Sequence, residues 1–155
     1  MFTQWNTFDL LFILSAVAFN LLIAALFIAQ KYGKEKLVKT FGLTWLGLLI
    51  PFTVIFVQYV HEGRSTKILI SLCMVFLYML IELLLDYVLK VDFRSKTITH
   101  VPYIILEYVA LFSLIAIAFD IDQAAGILVS ICFWILMGCL VFLYWNKITK
   151  RDKKT

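Results

Sequence analysis

Five long apolar stretches, separated by short polar connections, dominate the pattern of hydrophobic and polar positions in this chain. Each stretch is about 20 residues long, which is the length of α-helix that crosses a hydrocarbon layer of ~30 Å. The pattern therefore predicts five membrane-spanning helices. Their predicted bounds are Phe8–Gln30, Val38–Val60, Ile68–Leu89, Val101–Phe119 and Ala124–Trp145.

The short connections predict that consecutive helices run antiparallel and pack side by side. The chain has 155 residues and no polar segment long enough to fold separately, so residues 1–155 are expected to form a single transmembrane domain. Its hydrophobic content of 63% is well above the share of about half that is usual in soluble domains. The predicted fold class is all-α, a polytopic transmembrane bundle of five helices.

The basic residues lie almost entirely on one side of the apolar stretches. Of the 14 Lys and Arg residues, 12 fall within Lys31–Lys39, Lys90–Lys96 and Lys147–Lys154, and only Arg64 and Lys67 lie elsewhere. Because basic connections remain in the cytoplasm, this asymmetry predicts an external N-terminus and a cytoplasmic C-terminus. The net charge of +4 is then expected to face anionic lipid headgroups on the cytoplasmic side, and not nucleic acid. We expect a multi-pass protein of the plasma (inner) membrane.

Acidic residues inside the third and fourth apolar stretches are the strongest functional signal. Glu82 and Asp86 are four residues apart and share one helix face. On the fourth helix, His100, Tyr103 and Glu107 form a second polar stripe with spacings of three and four. An acid at the bilayer centre costs ~2.5–3.5 kcal/mol on insertion scales. We therefore predict that Glu82, Asp86 and Glu107 bind protons or a cation.

Helix geometry predicts that these two stripes lie at matching depth. At 1.5 Å per residue, Glu82 and Glu107 each lie about 10–12 Å from the connection that the two helices share. A purely structural interpretation is also open, since Asp86 and Lys90 have the spacing of a helical ion pair. Hydrogen bonds from buried acids can likewise hold helices together without further function.

A second group of residues is predicted to line a pocket near the middle of the bilayer. Pro51 removes the helical hydrogen bond to the Gly47 carbonyl, which predicts a kink or hinge in the second helix. Asn20 and Trp134 fall near the midpoints of their stretches. The predicted pocket-lining residues are Asn20, Gly47, Pro51, Tyr78, Tyr103 and Trp134. The alternative is that the amide and the indole only join or pack helices.

The remaining polar residues are assigned to the two membrane surfaces. We expect Lys90, Arg94, Lys96 and His100 to contact lipid headgroups at the cytoplasmic surface. On the external side lie His61 and the acids Glu62, Asp120 and Asp122, with Asp9 nearby; these acids are expected to be solvated, and the alternative is a superficial cation site.

Several common functions lack their sequence patterns in this chain. There is no HExxH, GxSxG, Walker-A or TVGYG pattern, and no CxxC pair. These absences weigh against zinc, serine-hydrolase, nucleotide, potassium-filter and thiol-redox chemistry. We expect no metal site and no cofactor.

The leading functional hypothesis is a small membrane transporter or channel-like protein that uses the acid cluster. Five helices are few for an alternating-access carrier, so a homo-oligomer is expected for this function. The first alternative is an intramembrane enzyme that acts on a lipid or isoprenoid, with Glu82 or Glu107 as general acid and base. The second is an accessory subunit without its own activity, whose polar groups bind a partner membrane protein.

Overall fold

All five predicted spans are helical in the computed structural model, which describes residues 6–89 and 97–151, and the side chains of residues 6–89 and 101–145. Each span is long and apolar enough to cross a membrane, and the described ranges contain no strand. The all-α, five-span prediction is therefore confirmed, and the chain is an integral membrane protein. The spans are Thr7–Lys31, Glu35–His61, Thr66–Val88, Val101–Ile121 and Gln123–Trp145.

Six α-helices build these spans. They are α1 (Thr7–Lys31), α2 (Glu35–Gly47), α3 (Leu49–His61), α4 (Thr66–Glu82), α5 (Thr97–Ile121) and α6 (Gln123–Arg151). A π-helical segment, Leu83–Val88, continues α4 directly after Glu82. Helix α5 begins four residues earlier than its predicted start at Val101, so Pro102 lies inside the helix and not in its first turn.

The second span is interrupted where its proline predicts. Pro51 has no N–H group to donate to the Gly47 carbonyl, and α2 ends at Gly47. The Leu48 N–H donates to the Trp45 carbonyl at 3.0 Å in a tighter turn, and α3 begins at Leu49. The two halves of this span are therefore separate helices that meet at one residue.

Glycine ends both α1 and α3 in the same way. Gly33 and Gly63 have φ values of +66° and +65°, a conformation that side chains disfavour. After α3, the Arg64 N–H donates back to the Tyr59 carbonyl at 3.0 Å, which completes a Schellman motif. This turn returns the chain towards the bundle and carries the side chain of Arg64 with it.

Helix α1 organises the packing of the bundle. It packs against α2, α3, α5 and α6, while α4 packs against α5, and α5 against α6. On α1, the buried ring of Phe19 contacts Trp45 of α2, Phe52 of α3 and Tyr78 of α4, with ring centroids 5.1, 6.2 and 6.3 Å away. Aromatic packing around α1 therefore positions the residues of the interior.

The two ends of the bundle differ in charge. At one end, the Lys31 ammonium lies 3.5 Å from the centre of the Phe142 ring and donates to the Phe142 carbonyl, which joins α1 to α6. We call this the basic end, because the predicted cytoplasmic connections lie there. The opposite end, where α3 is followed by Gly63 and Arg64, is called the Arg64 end.

Candidate functional site

A buried chain of hydroxyl groups leads to a carboxylate between α4 and α5. The Tyr103 hydroxyl donates a hydrogen bond to the Glu82 carboxylate. The hydroxyl oxygens of Tyr78 and Tyr103 lie 3.2 Å apart. Since the Tyr103 proton is directed to Glu82, Tyr78 is the donor in the bond between the two tyrosines. The tyrosines are only 3% and 9% exposed, and the donors run in one direction, from Tyr78 through Tyr103 to Glu82.

Glu107 also lies near this cluster. Its carboxylate lies within electrostatic range of both the Tyr78 and the Tyr103 hydroxyl groups, as does the carboxylate of Glu82. The expectation was a meeting of Glu82 and Glu107 at equal depth. In the structure Glu82 contacts the Tyr103 phenol, and both acids lie close to the Tyr78–Tyr103 pair, while a direct meeting of Glu82 and Glu107 stays a prediction.

The sequence carries a signal for this arrangement, and hydrogen bonds of Glu82 and Glu107 to Tyr78 or Tyr103 belong to the structural interpretation of the two polar stripes. Tyr-x-x-x-Glu occurs twice, as Tyr78–Glu82 on α4 and as Tyr103–Glu107 on α5. Each pair shares a helix face, and the two helices run antiparallel. Because the helices are antiparallel, each tyrosine lies near the acid of the opposite helix. Tyr103 of α5 contacts Glu82 of α4, and Glu107 of α5 lies near Tyr78 of α4.

Two polar atoms in the surrounding interior have no hydrogen-bond partner within the described part of the chain. They are Oδ1 of Asn20 and Nε1 of Trp45, whose residues are 1% and 4% exposed. The ring of Trp45 packs edge-to-face on that of Tyr78, with the centroids 5.5 Å apart. Trp45 was not among the predicted pocket residues, although it lies two residues before Gly47.

The other residues of the predicted midplane pocket do not lie together. Trp134 is 70% exposed on the outer surface of α6, so its assignment to a pocket is wrong. Gly47 is also exposed, and a Cβ atom built there would meet no atom within 4 Å. Pro51 is half-buried beside the interruption of its span. The interior site therefore centres on Tyr78 and Tyr103.

The predicted roles of the remaining site residues stay predictions. Asp86 is half-buried within the π-helical segment. The predicted headgroup contacts Lys90, Arg94 and Lys96, and the side chain of His100, lie outside the described residues. Within the described residues, no group of three His, Cys, Asp or Glu side chains is arranged to hold a metal ion.

A second polar cluster closes the Arg64 end. The Arg64 Nη2 atom lies 2.9 and 3.0 Å from the two carboxylate oxygens of Asp9, and the Tyr59 hydroxyl donates to the same carboxylate at 2.9 Å. Asp9 is 8% exposed, and Tyr59 is fully buried. The expectation that Asp9 is solvated is therefore wrong, because its charge is held by an arginine and a phenol.

Glu62 joins this cluster from the loop side. It accepts hydrogen bonds from Arg64 at 2.9 Å, from Gln58 at 3.1 Å and from Asn6 at 2.9 Å. These donors, with the Arg64 guanidinium first, hold the pKa of the Glu62 carboxyl below its ordinary value. Arg64 thus bridges two carboxylates, which ties the start of α1 to the end of α3.

No protein-family model, curated protein or solved structure matches this chain. A helical fold class does not by itself specify an activity. The function of this chain is therefore inferred from its own residues and contacts.

Proposed function

We propose that this membrane protein is a small transporter that moves protons, and that Glu82 is its proton-binding group. The observation that carries the proposal is the buried, directional hydrogen-bond chain from Tyr78 through Tyr103 to Glu82. A carboxyl group inside an apolar span is a functional candidate by default. Here it is also connected to other groups that can pass a proton.

The relay that we propose moves one proton between two carboxyl groups. A protonated Glu107 gives its proton to Tyr78, Tyr78 gives its own to Tyr103, and Tyr103 gives its own to Glu82. The two phenols end unchanged, Glu107 becomes a carboxylate, and Glu82 becomes an acid. Glu107 is one helical turn, about 6 Å, farther along α5 than Tyr103, so the transfer has a component along the helix axis.

A proton suits this cluster better than a larger cation. The aromatic rings of the cluster are in direct contact, with centroid distances of 5.5 Å between Trp45 and Tyr78 and 5.7 Å between Tyr78 and Tyr103. A hydrogen-bonded chain conducts a proton without a cavity, whereas a metal ion needs several ligands around one point. We therefore commit to the proton among the ions that a carboxylate can bind.

Access to the cluster has to change during transport. The Asp9–Arg64 ion pair lies at the Arg64 end, and the fully buried ring of Phe52 packs on Phe12 and on Phe19, which contacts Tyr78. Movement at the interruption between α2 and α3 is the gating step that we propose, because a helix broken at Pro51 bends more easily than a continuous one.

Proton flux in proteoliposomes tests the proposal. The purified chain is reconstituted with an internal pH-sensitive dye, and a potential is imposed by potassium diffusion with valinomycin. We expect the wild type to acidify the lumen faster than protein-free liposomes do. Glu82→Gln should fall to the protein-free rate, and Glu35→Gln, which changes an exposed acid at the start of α2, should keep the wild-type rate.

The alternatives predict different results in the same preparation. An enzyme that acts on a lipid or isoprenoid would leave flux at the protein-free rate and would convert an added lipid in a Glu82-dependent manner. An accessory subunit would show neither activity and would co-purify with a larger membrane protein. Flux in the wild type that is unchanged in Glu82→Gln would refute the assigned role of Glu82.

A further inference from the structure

Two neighbouring helices each bury one polar atom that has no partner among the described residues. The Asn20 Nδ2 atom donates to the Ala16 carbonyl at 2.9 Å, which fixes the orientation of the amide and leaves Oδ1 as an acceptor without a donor. The Trp45 Nε1–H group is a donor without an acceptor. Buried polar groups in proteins almost always have partners, so both atoms need an explanation.

The two atoms lie at the same depth. At 1.5 Å per residue, Asn20 lies roughly 17 Å from the end of α1, and Trp45 lies roughly 15 Å from the start of α2. Helices α1 and α2 pack against each other, and Phe19, the neighbour of Asn20, contacts the Trp45 ring at 5.1 Å. An acceptor and a donor are thus left unpaired in the same layer of the bundle.

The chemistry of the two atoms limits what can bind both. A cation would be repelled by the indole N–H, and an anion would be repelled by the amide oxygen. A neutral group that donates and accepts satisfies both atoms at once. The smallest neutral group of this kind is a water molecule, and a buried water needs two to four polar partners.

We propose that one water molecule is bound between Asn20 and Trp45, where it accepts a hydrogen bond from the indole Nε1–H and donates one to the amide Oδ1. Its second O–H group is directed towards the region of Tyr78, whose ring packs on that of Trp45. The water thereby extends the hydrogen-bond chain from Glu82 to the middle of the bilayer. This role in conduction rests on the proposed function, whereas the presence of the water does not.

Water-edited solid-state NMR on the full chain tests the site. The chain is labelled with ¹⁵N at the indole nitrogens, placed in phosphatidylcholine and phosphatidylglycerol bilayers, and assigned with Trp45→Phe and Trp134→Phe. Magnetisation transfer from water to each indole is then measured. Trp134 is the internal control, because its 70% exposure faces the apolar environment outside the bundle.

We expect transfer to the Trp45 indole to be several-fold faster than transfer to Trp134. In Asn20→Leu, which removes the acceptor, the Trp45 rate should fall to that of Trp134. Equal rates for Trp45 and Trp134 in the wild type would overturn the proposal, and so would a fast Trp45 rate that Asn20→Leu leaves unchanged. Since no transport is measured, the result is independent of the flux experiment.

Discussion

Arg64 and Asp9 are joined by an ion pair, although 55 residues separate them along the chain. Arg64 contacts both oxygens of the Asp9 carboxylate through its Nη2 atom and the Glu62 carboxylate, at 2.9 Å, through its Nε atom. Arg64 is one of only two basic residues outside the three basic segments. Its charge is compensated by two carboxylates, which explains how an arginine is accommodated at this end of the bundle.

Removal of this guanidinium should destabilise the protein. Arg64→Gln leaves the carboxylate of Asp9 buried without its cation, and loss of one partner of a fully buried pair costs ~3–5 kcal/mol. Because the Arg64 side chain is 26% exposed, we expect on the order of 2–3 kcal/mol here. Equilibrium unfolding in mixed micelles with increasing SDS measures the change in free energy.

The matched control for Arg64→Gln is Lys67→Gln, which removes an exposed positive charge three residues later. It should change the free energy of unfolding by less than about 0.5 kcal/mol. Equal effects of the two variants would show that the ion pair with Asp9 has no special contribution. The double variant Asp9→Asn/Arg64→Gln should be less destabilised than the sum of its single variants.

Acid should weaken the loop side of the same cluster. Because the pKa of Glu62 is lowered from its ordinary value of 4.5, its contribution to stability is present above that pH and is lost as the pH falls through the lowered pKa. In Glu62→Gln this contribution cannot titrate. The melting temperature is measured above and below pH 4.5, and its decrease between the two should be smaller in Glu62→Gln than in the wild type. An identical fall in both proteins would contradict this assignment.

Close packing of α5 on α6 depends on the absence of a side chain at Gly126. A Cβ atom built at this position would overlap the ring of Phe119. We expect Gly126→Ala to destabilise the bundle by about 1–3 kcal/mol, because the ring has to move. Gly138, on the same helix, has no atom within 4 Å of a built Cβ. Gly138→Ala should instead stabilise the helix by up to about 1 kcal/mol, and a similar sign for both variants would disprove the steric argument.

Replacement of Pro51 should join α2 and α3 into one continuous helix. Pro51→Ala restores an N–H group that can donate to the Gly47 carbonyl, and a proline inside a helix costs ~3 kcal/mol. We expect this variant to raise the free energy of unfolding and to lower proton flux, since a continuous helix bends less at this point. Increased stability with unchanged flux would show that the break does not gate access.

The spans and the break could be predicted from the sequence because each depends on a local property. Span length follows from the thickness of the apolar layer, and the predicted Phe8–Gln30 differs from α1 by one residue at each end. The interruption before Pro51 follows from one missing N–H group. Both features are independent of how the helices are rotated in the bundle.

The rotation of each helix could not be predicted in the same way. Side chains that face lipid are as apolar as those that face the core, so periodicity does not separate the two faces. Trp134 was therefore assigned to the interior, although it is exposed, and Trp45, whose indole N–H has no acceptor among the described residues, was missed. The link between Asp9 and Arg64 was missed because it depends on how the loop after α3 returns to α1.

Replacement of Glu82 by a shorter acid tests the proton-transfer account most directly. In Glu82→Asp the carboxylate is withdrawn by about 1.5 Å from Tyr103, but it can still bind a proton. We expect flux in proteoliposomes to decrease in the order wild type, Glu82→Asp and Glu82→Gln, with Glu82→Gln at the protein-free rate. Equal flux through all three proteins would contradict the account, because conduction would then not need an ionisable group at this position.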